Sequence, residues 1–381
     1  MNALLPEMVQ KSRVRWSSAS GDDWSGLRKS TLNYVTMNHR PNYGTGAYSY
    51  KISDGPALLY ASCYAALIFH LYGHLDLLSP SERIKWLEHI HGYQCDDGLF
   101  RDCLIDIPLA AEAHWWGWHH LTLHAIMALT ALGGRAEKQF EFLDKFKRRG
   151  AIIDWVQTRE WKDNPAIVSN EVQNHATLLQ YARDFQGQSW CADVLSELYD
   201  WFDRHQDPST GLWGENFDSP ELLSAGVQTG YHIWLLYFYD KRPIQYLERI
   251  IDSCLRTQNP LGGFGVALNS SACEDIDSID PLVRLSLLTD YRKEEILKAL
   301  QRALCWVLVN VNPDGGWVFR RGEAFHYGHD LMFSRLDESC MFPTWFRTLS
   351  LAYLAQTLPH STASSFHWRF LKCPGLQFSS W

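Results

Sequence analysis

The sequence predicts an all-α chain folded as an (α/α)6 toroid, and three observations carry that expectation. Apolar residues recur at helical spacing along nearly the whole chain, without a convincing run of alternating strands. A glycine turn returns four times: Gln94 to Phe100, Gln206 to Trp213, Gln258 to Phe264 and Asn312 to Trp317 each run from Gln or Asn through a turn to Gly, one residue, then an aromatic. Its glycines, Gly98, Gly211, Gly262 and Gly315, stand 113, 51 and 53 residues apart, so the first gap spans two units and a degenerate copy belongs near residues 155–164. A period of about 50–57 residues marks a repeated supersecondary unit, here a helix, a glycine turn and a second helix. Finally, the two helices of each unit differ in polarity. Before the last turn, Ile296, Leu300, Ala303, Leu304 and Val307 share one stripe while Lys293, Glu294 and Lys298 lie off it. After the turns, residues 56–75, 108–131, 166–184, 219–239, 273–289 and 338–356 are apolar nearly all round and must be buried. Six such inner helices, ringed by outer ones, close around a central cavity.

In chain order, residues 1–54 are polar and turn-rich, with Ser20-Gly21-Asp22-Asp23 and Asn42-Tyr43-Gly44-Thr45-Gly46, and read as an irregular lead-in or lid. Residues 55–381 form the toroid domain, although a sixth outer helix has no clear place at its start. Ser79-Pro80-Ser81-Glu82 opens a helix with a cap, Pro at the first position and an acid three after the cap. That helix runs to about Gln94, where the first glycine turn begins.

Bulk properties narrow the function classes. A net charge of −8 without a basic run argues against nucleic acid as a partner. The apolar stretch from Gly55 to Leu78 is interrupted by His70, His74 and Asp76, which suits a protein core and not a membrane span, though peripheral contact with a membrane stays compatible. The N-terminus lacks an apolar core of signal-peptide length, and the nine cysteines include no Cys-x-x-Cys pair; both point to reduced thiols and a cytoplasmic protein. Seventeen Trp can serve as core or line an apolar cavity for a small-molecule or lipid substrate.

The stretch richest in chemistry is Ser271 to Leu282, with Glu274, Asp275, Asp277 and Asp280 in seven positions. On a helix Glu274, Asp277 and Asp280 share a face, with Asp275 turned away from it. Acids this close cannot all ionise cheaply, so at least one carboxyl should stay protonated near neutrality and serve as a general acid. The plainer reading is that acids at a helix start satisfy free N–H groups and the macrodipole. Parallel inner helices bring their first turns to one mouth. There the sequence places Glu112, His114 and Trp115; Asn170, Glu171, Asn174 and His175; Gln228, Tyr231 and His232; and Asp337, Glu338 and Trp345. Glu112 lies near His114, and Glu171 with His175 has the i, i+4 spacing of helical ligands, but neither pair has a third partner, so no metal site is expected. His326, His329 and Asp330 fall in a loop that could rim the mouth.

The glycine-aromatic turns of residues 56–357 resemble those of the terpenoid cyclases and protein prenyltransferase β subunits, which share an α6/α6 toroid. Within this frame Asp275-Ile276-Asp277-Ser278 is similar to the Asp-x-Asp-Asp motif of class II terpene cyclases, and Ser278 departs from it. The resemblance implies an isomerase or lyase of the cyclase type, in which Asp277 protonates an alkene or epoxide of a linear isoprenoid. Asp275 and Glu274 would tune the acid, and His232 or His175 would orient it or relay its proton. Trp115, Trp116, Trp118, Tyr231, Trp234, Trp345 and Phe346 would line the cavity and stabilise carbocations. No cofactor is implied, apart from Mg2+ if the substrate is a diphosphate. The prenyltransferase side fits less well, since Asp314-Gly315-Gly316 lacks the Cys of its zinc pair.

A carbohydrate-active toroid is the alternative. Gln173-Asn174-His175 resembles the Asn-His segments of polysaccharide lyase barrels, with Asn174, His175, Tyr231 and Arg347 as the acting groups. A glycoside hydrolase would pair Asp277 with Glu112 or Glu338. A third reading is a non-catalytic toroid that binds a lipid or glycan.

Overall fold

The computed structural model describes residues 4–17, 19–53, 55–105, 116–358, 364 and 366–378. Its α-helices are α1 (Leu5–Ser17), α2 (Gly21–Met37), α3 (Leu59–Leu71), α4 (Pro80–His91), α5 (Trp118–Ala131), α6 (Ala151–Gln157) and α7 (Pro165–Phe185). They continue with α8 (Cys191–His205), α9 (Pro220–Tyr239), α10 (Leu247–Arg256), α11 (Ala272–Leu285), α12 (Lys293–Val309) and α13 (Met341–Thr357). The one sheet among the described residues is a hairpin of β1 (Phe325–His326) and β2 (Phe333–Ser334). No helix among the described residues is long and apolar enough to cross a membrane.

The two helix types of the sequence are distinct in space. In α3 every residue but His70 is buried, whereas α8 buries the stripe Val194, Leu195, Leu198, Trp201 and Phe202 and leaves its other face to solvent. The buried helices follow one another: α3 packs on α5, α5 on α7, α7 on α9, α9 on α11, α11 on α13, and α13 returns to α3. The amphipathic helices pack against them, α2 on α3, α4 on α5, α8 on α7, α10 on α9 and α11, and α12 on α11 and α13. The degenerate repeat lies where the spacing put it, since α6 ends at Gln157 and α7 opens at Pro165 with no glycine between.

The glutamines explain why the turn is repeated. Gln94 Nε2 donates to the Gly98 carbonyl at 3.1 Å and the Lys138 carbonyl at 3.0 Å. Gln258 Nε2 does the same to Gly262 and Ala299, both at 2.8 Å, and Gln206 Nε2 to Gly211 at 2.9 Å and Gln245 at 3.4 Å. Each side chain thus ties its own turn to the segment that follows the next buried helix. The glycine is needed at the same joint. Gly262 has φ +102°, and a Cβ there would sit 2.6 Å from the Arg302 carbonyl oxygen of α12. Gly315 has φ +88°, and its Cβ would sit 2.1 Å from the Ser30 carbonyl oxygen of α2.

That last joint corrects the reading of residues 1–54 as irregular. They contain α1 and α2, and α2 packs beside α3. Ser20-Gly21-Asp22-Asp23 is a capping box: Asp23 N donates to Ser20 Oγ at 3.3 Å and Ser20 N to Asp23 Oδ2 at 2.8 Å. Trp24, Leu27, Thr31, Tyr34 and Val35 form the buried stripe of α2, and Thr31 Oγ1 donates to the Gly315 carbonyl at 3.0 Å. Gly315→Ala is therefore expected to cost about 2–4 kcal/mol, adding overpacking to left-handed strain. Gly187→Ala should cost about 1 kcal/mol, because Gly187 has φ +70° but open space around it. Urea denaturation compares the two, and equal losses would mean that α2 is not pinned at this turn.

Two other segments close the ends of the inner helices. Residues 371–378 enter between α3, α9, α11 and α13, burying Leu371, Cys373, Leu376, Gln377 and Phe378. Gln377 Nε2 donates to the Leu67 carbonyl at 3.1 Å, Tyr353 Oη to the Leu376 carbonyl at 2.6 Å, and Arg284 Nη2 to the Phe378 carbonyl at 3.1 Å. At the opposite end the hairpin inserts Tyr327, whose ring stacks on Phe342 at 4.1 Å. His326, with Asp330 at 3.1 Å, lies exposed at the hairpin.

Candidate active site

The acid cluster begins at the α11 cap, and its members have separate fates. Ser271 is the N-cap, and Glu274 closes a capping box by accepting from Ser271 N at 2.7 Å; it also accepts from Arg320 Nη2 at 2.7 Å. Asp275 is fully buried. Its Oδ1 accepts from Phe264 N and Ser270 Oγ, both at 2.9 Å, and its Oδ2 from Trp306 Nε1 at 2.9 Å and from the Arg347 guanidinium. In two other repeats the amide of the turn's aromatic is met by a threonine on the next inner helix. Phe100 N donates to Thr122 Oγ1 at 2.9 Å and Trp317 N to Thr344 Oγ1 at 3.1 Å. Asp275 holds that position in its own repeat. Burial raises its pKa and Arg347 opposes the rise, and four donors aimed at one carboxyl match its ionised form. Asp280 is paired with Arg284 one turn later, and burial, opposed by Arg284, takes it to about 6.

Asp277 stands apart. It is 4 % exposed, and no hydrogen bond or ion pair reaches its carboxyl among the described residues. Burial first, then the charges of Glu274, Asp275 and Asp280, push its pKa well above the carboxylate range. The environment thus favours a protonated acid beside three others that have partners. Tyr231 of α9 is near it: burial and the charges of Asp280 and Asp277 raise its phenol, and its Oη is buried without a hydrogen-bond partner among the described residues.

The other expected residues divide. Trp116, Trp345 and Phe346 join one aromatic cluster, in which Tyr60 stacks on Trp116 at 5.3 Å, Tyr64 on Trp345 at 5.3 Å, and Phe346 lies 4.7 Å from Trp345. Trp345 Nε1 donates to Gln377 Oε1 at 2.8 Å, tying the cluster to the C-terminal segment. Trp118 instead lies under the Arg101 guanidinium at 4.7 Å, and Trp234 packs toward Trp213 of the glycine turn at 6.3 Å. His232 bonds to Ser169 Oγ at 2.9 Å and no hydrogen bond joins it to the acids; burial takes it down to about 3. His175 is turned toward α5 and α6, with its ring 4.4 Å from His119, 4.7 Å from Trp155 and Nδ1 3.0 Å from the Glu171 carbonyl. Asn174 is buried in α7. Glu338 lies in the loop before α13, accepting from Arg335 N at 2.8 Å and pairing with Lys51 at 3.5 Å. Trp115, with Glu112 and His114, lies outside the described residues, and α5 starts at Trp118 after Gly117, later than the expected residue 108.

Sequence reasoning missed Tyr60, Tyr64, His120, His124, Tyr327 and Phe342. His120 Nδ1 is 2.9 Å from Tyr60 Oη and its Nε2 is 3.4 Å from Tyr327 Oη, while His124 lies 5.3 Å from Trp345. Burial holds His124 down to about 4 and His120 well below its usual range, so both rings are neutral. Two tyrosines on α3 and two histidines on α5, each pair spaced by four, were the available signal.

Among the described residues no group of three His, Cys, Asp or Glu could hold a metal ion. Two surface cavities, of about 450 and 1360 Å3, lie away from Asp277, the larger between α1, α12 and the ends of α11 and α13. Compared with protein-family models and with curated proteins, the chain matches none.

Proposed function

We propose that this chain is an (α/α)6 toroid with class II terpene cyclase-like chemistry. The closed succession of inner helices, with α2 as the sixth outer helix, supports the architecture. The observation that carries the chemistry is the Asp277 carboxyl, buried, unpartnered among the described residues and surrounded by three acids that are each held by a donor. Alkene protonation needs such a group, because carbon is a poor base and only a neutral carboxylic acid in a dry site can supply the proton. The O–H of Asp277 breaks as a C–H bond forms at one alkene carbon. The neighbouring carbon becomes cationic and is attacked by the next double bond, and loss of a proton at the end leaves an isomer of the substrate. Burial, and then the charges of Glu274, fixed at the cap, of Asp275, fixed by four donors, and of Asp280, favour the protonated form of Asp277; Glu274 stands in for the acid that Ser278 replaces. Tyr60, Tyr64, Trp116, Phe342 and Trp345 form an aromatic cluster whose π faces would stabilise a cation.

The lyase alternative gains no support from these contacts. Its Arg347 is spent on Asp275 and on the Ser270 and Phe319 carbonyls, at 3.3 and 2.9 Å, and its His175 is packed between His119 and Trp155. The nine cysteines are all free thiols, which supports a cytoplasmic location.

The deciding experiment incubates purified protein in D2O with linear polyisoprenoids, both with and without a diphosphate group. A cyclised product carrying one deuteron at the initiating end is the expected result. A product without deuterium would remove proton initiation from the mechanism.

A further inference from the structure

The larger of the two surface cavities carries a charge opposite to that of the chain. The net charge of the chain is −8, yet the residues lining this cavity include five cations, Arg13, Arg292, Lys293, Lys298 and Arg302, against one acid, Glu295. At about 1360 Å3 it exceeds the roughly 300–1000 Å3 of an ordinary small-molecule site. Independently of the chemistry proposed for Asp277, we infer that this cavity is a docking groove for an acidic amphipathic helix of a partner protein. Two of the cations are already engaged, Arg292 with Asp252 at 2.7 Å and Lys293 with Asp290 at 2.7 Å. The other three are open to an incoming acid. Arg302 donates to the Gln258 amide oxygen, Arg13 stands beside the Cys305 thiol, and neither has a carboxylate partner among the described residues. Lys298 has Glu294 no closer than 3.9 Å, in a pair open to solvent.

The pattern along α12 selects the kind of partner. Leu297, Gln301 and Leu304 line the cavity at i, i+4 and i+7, and Lys298, Arg302 and Cys305 repeat that spacing one position on. The two rows run side by side for about 11 Å of the helix, one apolar at its ends and the other basic. A ligand helix with its own leucines and carboxylates at the same spacing meets both rows at once. A small amphiphile with a single anionic head meets only one point of the basic row. Leu287, 56 % exposed, extends the apolar surface past the end of α11, and the half-buried Trp16 bounds it at the end of α1. The chain already uses α12 in this way. α1 lies along its last turns, with Leu5 and Val9 packed on Trp306 and Val309 and Ser12 Oγ donating to the Cys305 carbonyl at 2.8 Å. Where α1 ends, at Ser17, the outer face of α12 continues exposed through Gln301, Lys298 and Glu294.

The test selects random peptides displayed on phage against the full-length wild-type protein and titrates the enriched sequences, made synthetically with a fluorescent label, by anisotropy. Enriched peptides are expected to carry Asp or Glu beside Leu or Phe at helical spacing and to bind more weakly as salt is added. Their affinity should fall about 10-fold or more, about 1.4 kcal/mol, in the double variant Arg13→Glu with Arg302→Glu, and also in Lys298→Glu. All three positions are exposed, so thermal melting of these variants should match wild type. Lys162→Glu, an exposed charge away from the cavity, should leave binding unchanged. Dodecyl phosphate, one anionic head on an alkyl chain, is the competing ligand and should bind more weakly than the peptides. Enrichment of peptides without the acidic and apolar pattern, affinity unmoved by the charge reversals, or no enrichment at all would overturn the inference. So would tighter binding of dodecyl phosphate, which would make the cavity a site for a small amphiphile.

Discussion

Asp277→Asn is expected to lower turnover by about 10^3-fold or more while leaving the protein folded and, above neutral pH, more stable than wild type. The first half follows from the donor role, where removing a positioned general acid costs about 10^2 to 10^4 and no second proton donor stands ready. Asp280 is engaged by Arg284 and Asp275 by four donors, so neither can take over. The second half follows from linkage. The folded-state pKa of Asp277 is raised by burial and by its three acidic neighbours, so between the unfolded value near 4 and the raised value the native state binds more protons than the unfolded state. Stability contributed by the neutral acid is whole below about pH 4 and is lost as pH climbs through the folded pKa. Asparagine has no proton to lose, so the variant's advantage should grow with pH and vanish in acid. Thermal denaturation across pH measures this directly, and wild-type activity should fall along the same alkaline limb. A variant less stable at every pH, with activity lost in proportion to folded protein, would make Asp277 a structural residue.

Much of the fold was legible because its signals are local. The glycine turns announce themselves by the Gln side chain that reaches its own Gly carbonyl and the segment after the next buried helix, and the inner helices by being apolar all round. α2 was missed for a local reason too: Ser20-Gly21-Asp22-Asp23 has the composition of a turn, and its capping box is visible only once Trp24, Leu27, Thr31 and Tyr34 are read as one stripe. The site was legible as a cluster and illegible in its division of labour. Four acids in a row do not say which is satisfied, because the groups that satisfy Asp275 come from Phe264, Ser270, Trp306 and Arg347. Likewise His175 and His232 look equivalent in sequence, but both lie mid-helix, in α7 and α9, and not in the first turns where they were expected, and only packing turns the first toward Trp155 of α6. Nor does the sequence mark the partners of Trp118 and Trp234, which are Arg101 and Trp213 of a glycine turn.

Breaking the Asp275–Arg347 pair should cost the fold more stability than breaking the Gly315 joint, and repairing it in the idiom of the other repeats should recover most of that loss. Arg347→Ala leaves Asp275 buried and ionised with three neutral donors; Asp275→Ala leaves a buried guanidinium and orphans Phe264 N and Trp306 Nε1. Each is expected to cost about 3–5 kcal/mol, since removing one partner strands the other charge. The pair Asp275→Thr with Arg347→Met removes both charges and places at 275 the residue that meets the corresponding amide in two other repeats, as Thr122 and Thr344 do. Exchange of a whole buried ion pair for neutral groups is close to neutral in many cores, so urea midpoints of the double variant should lie nearer wild type than either single. Its activity should then report electrostatics alone. Without the charge of Asp275, one contribution that raises Asp277 is gone, so the alkaline limb of the pH profile should move to lower pH. A double variant as unstable as the singles would make the carboxylate itself the anchor of this repeat. An unmoved pH limb in a stable double variant would show that burial and Glu274 suffice to keep Asp277 protonated.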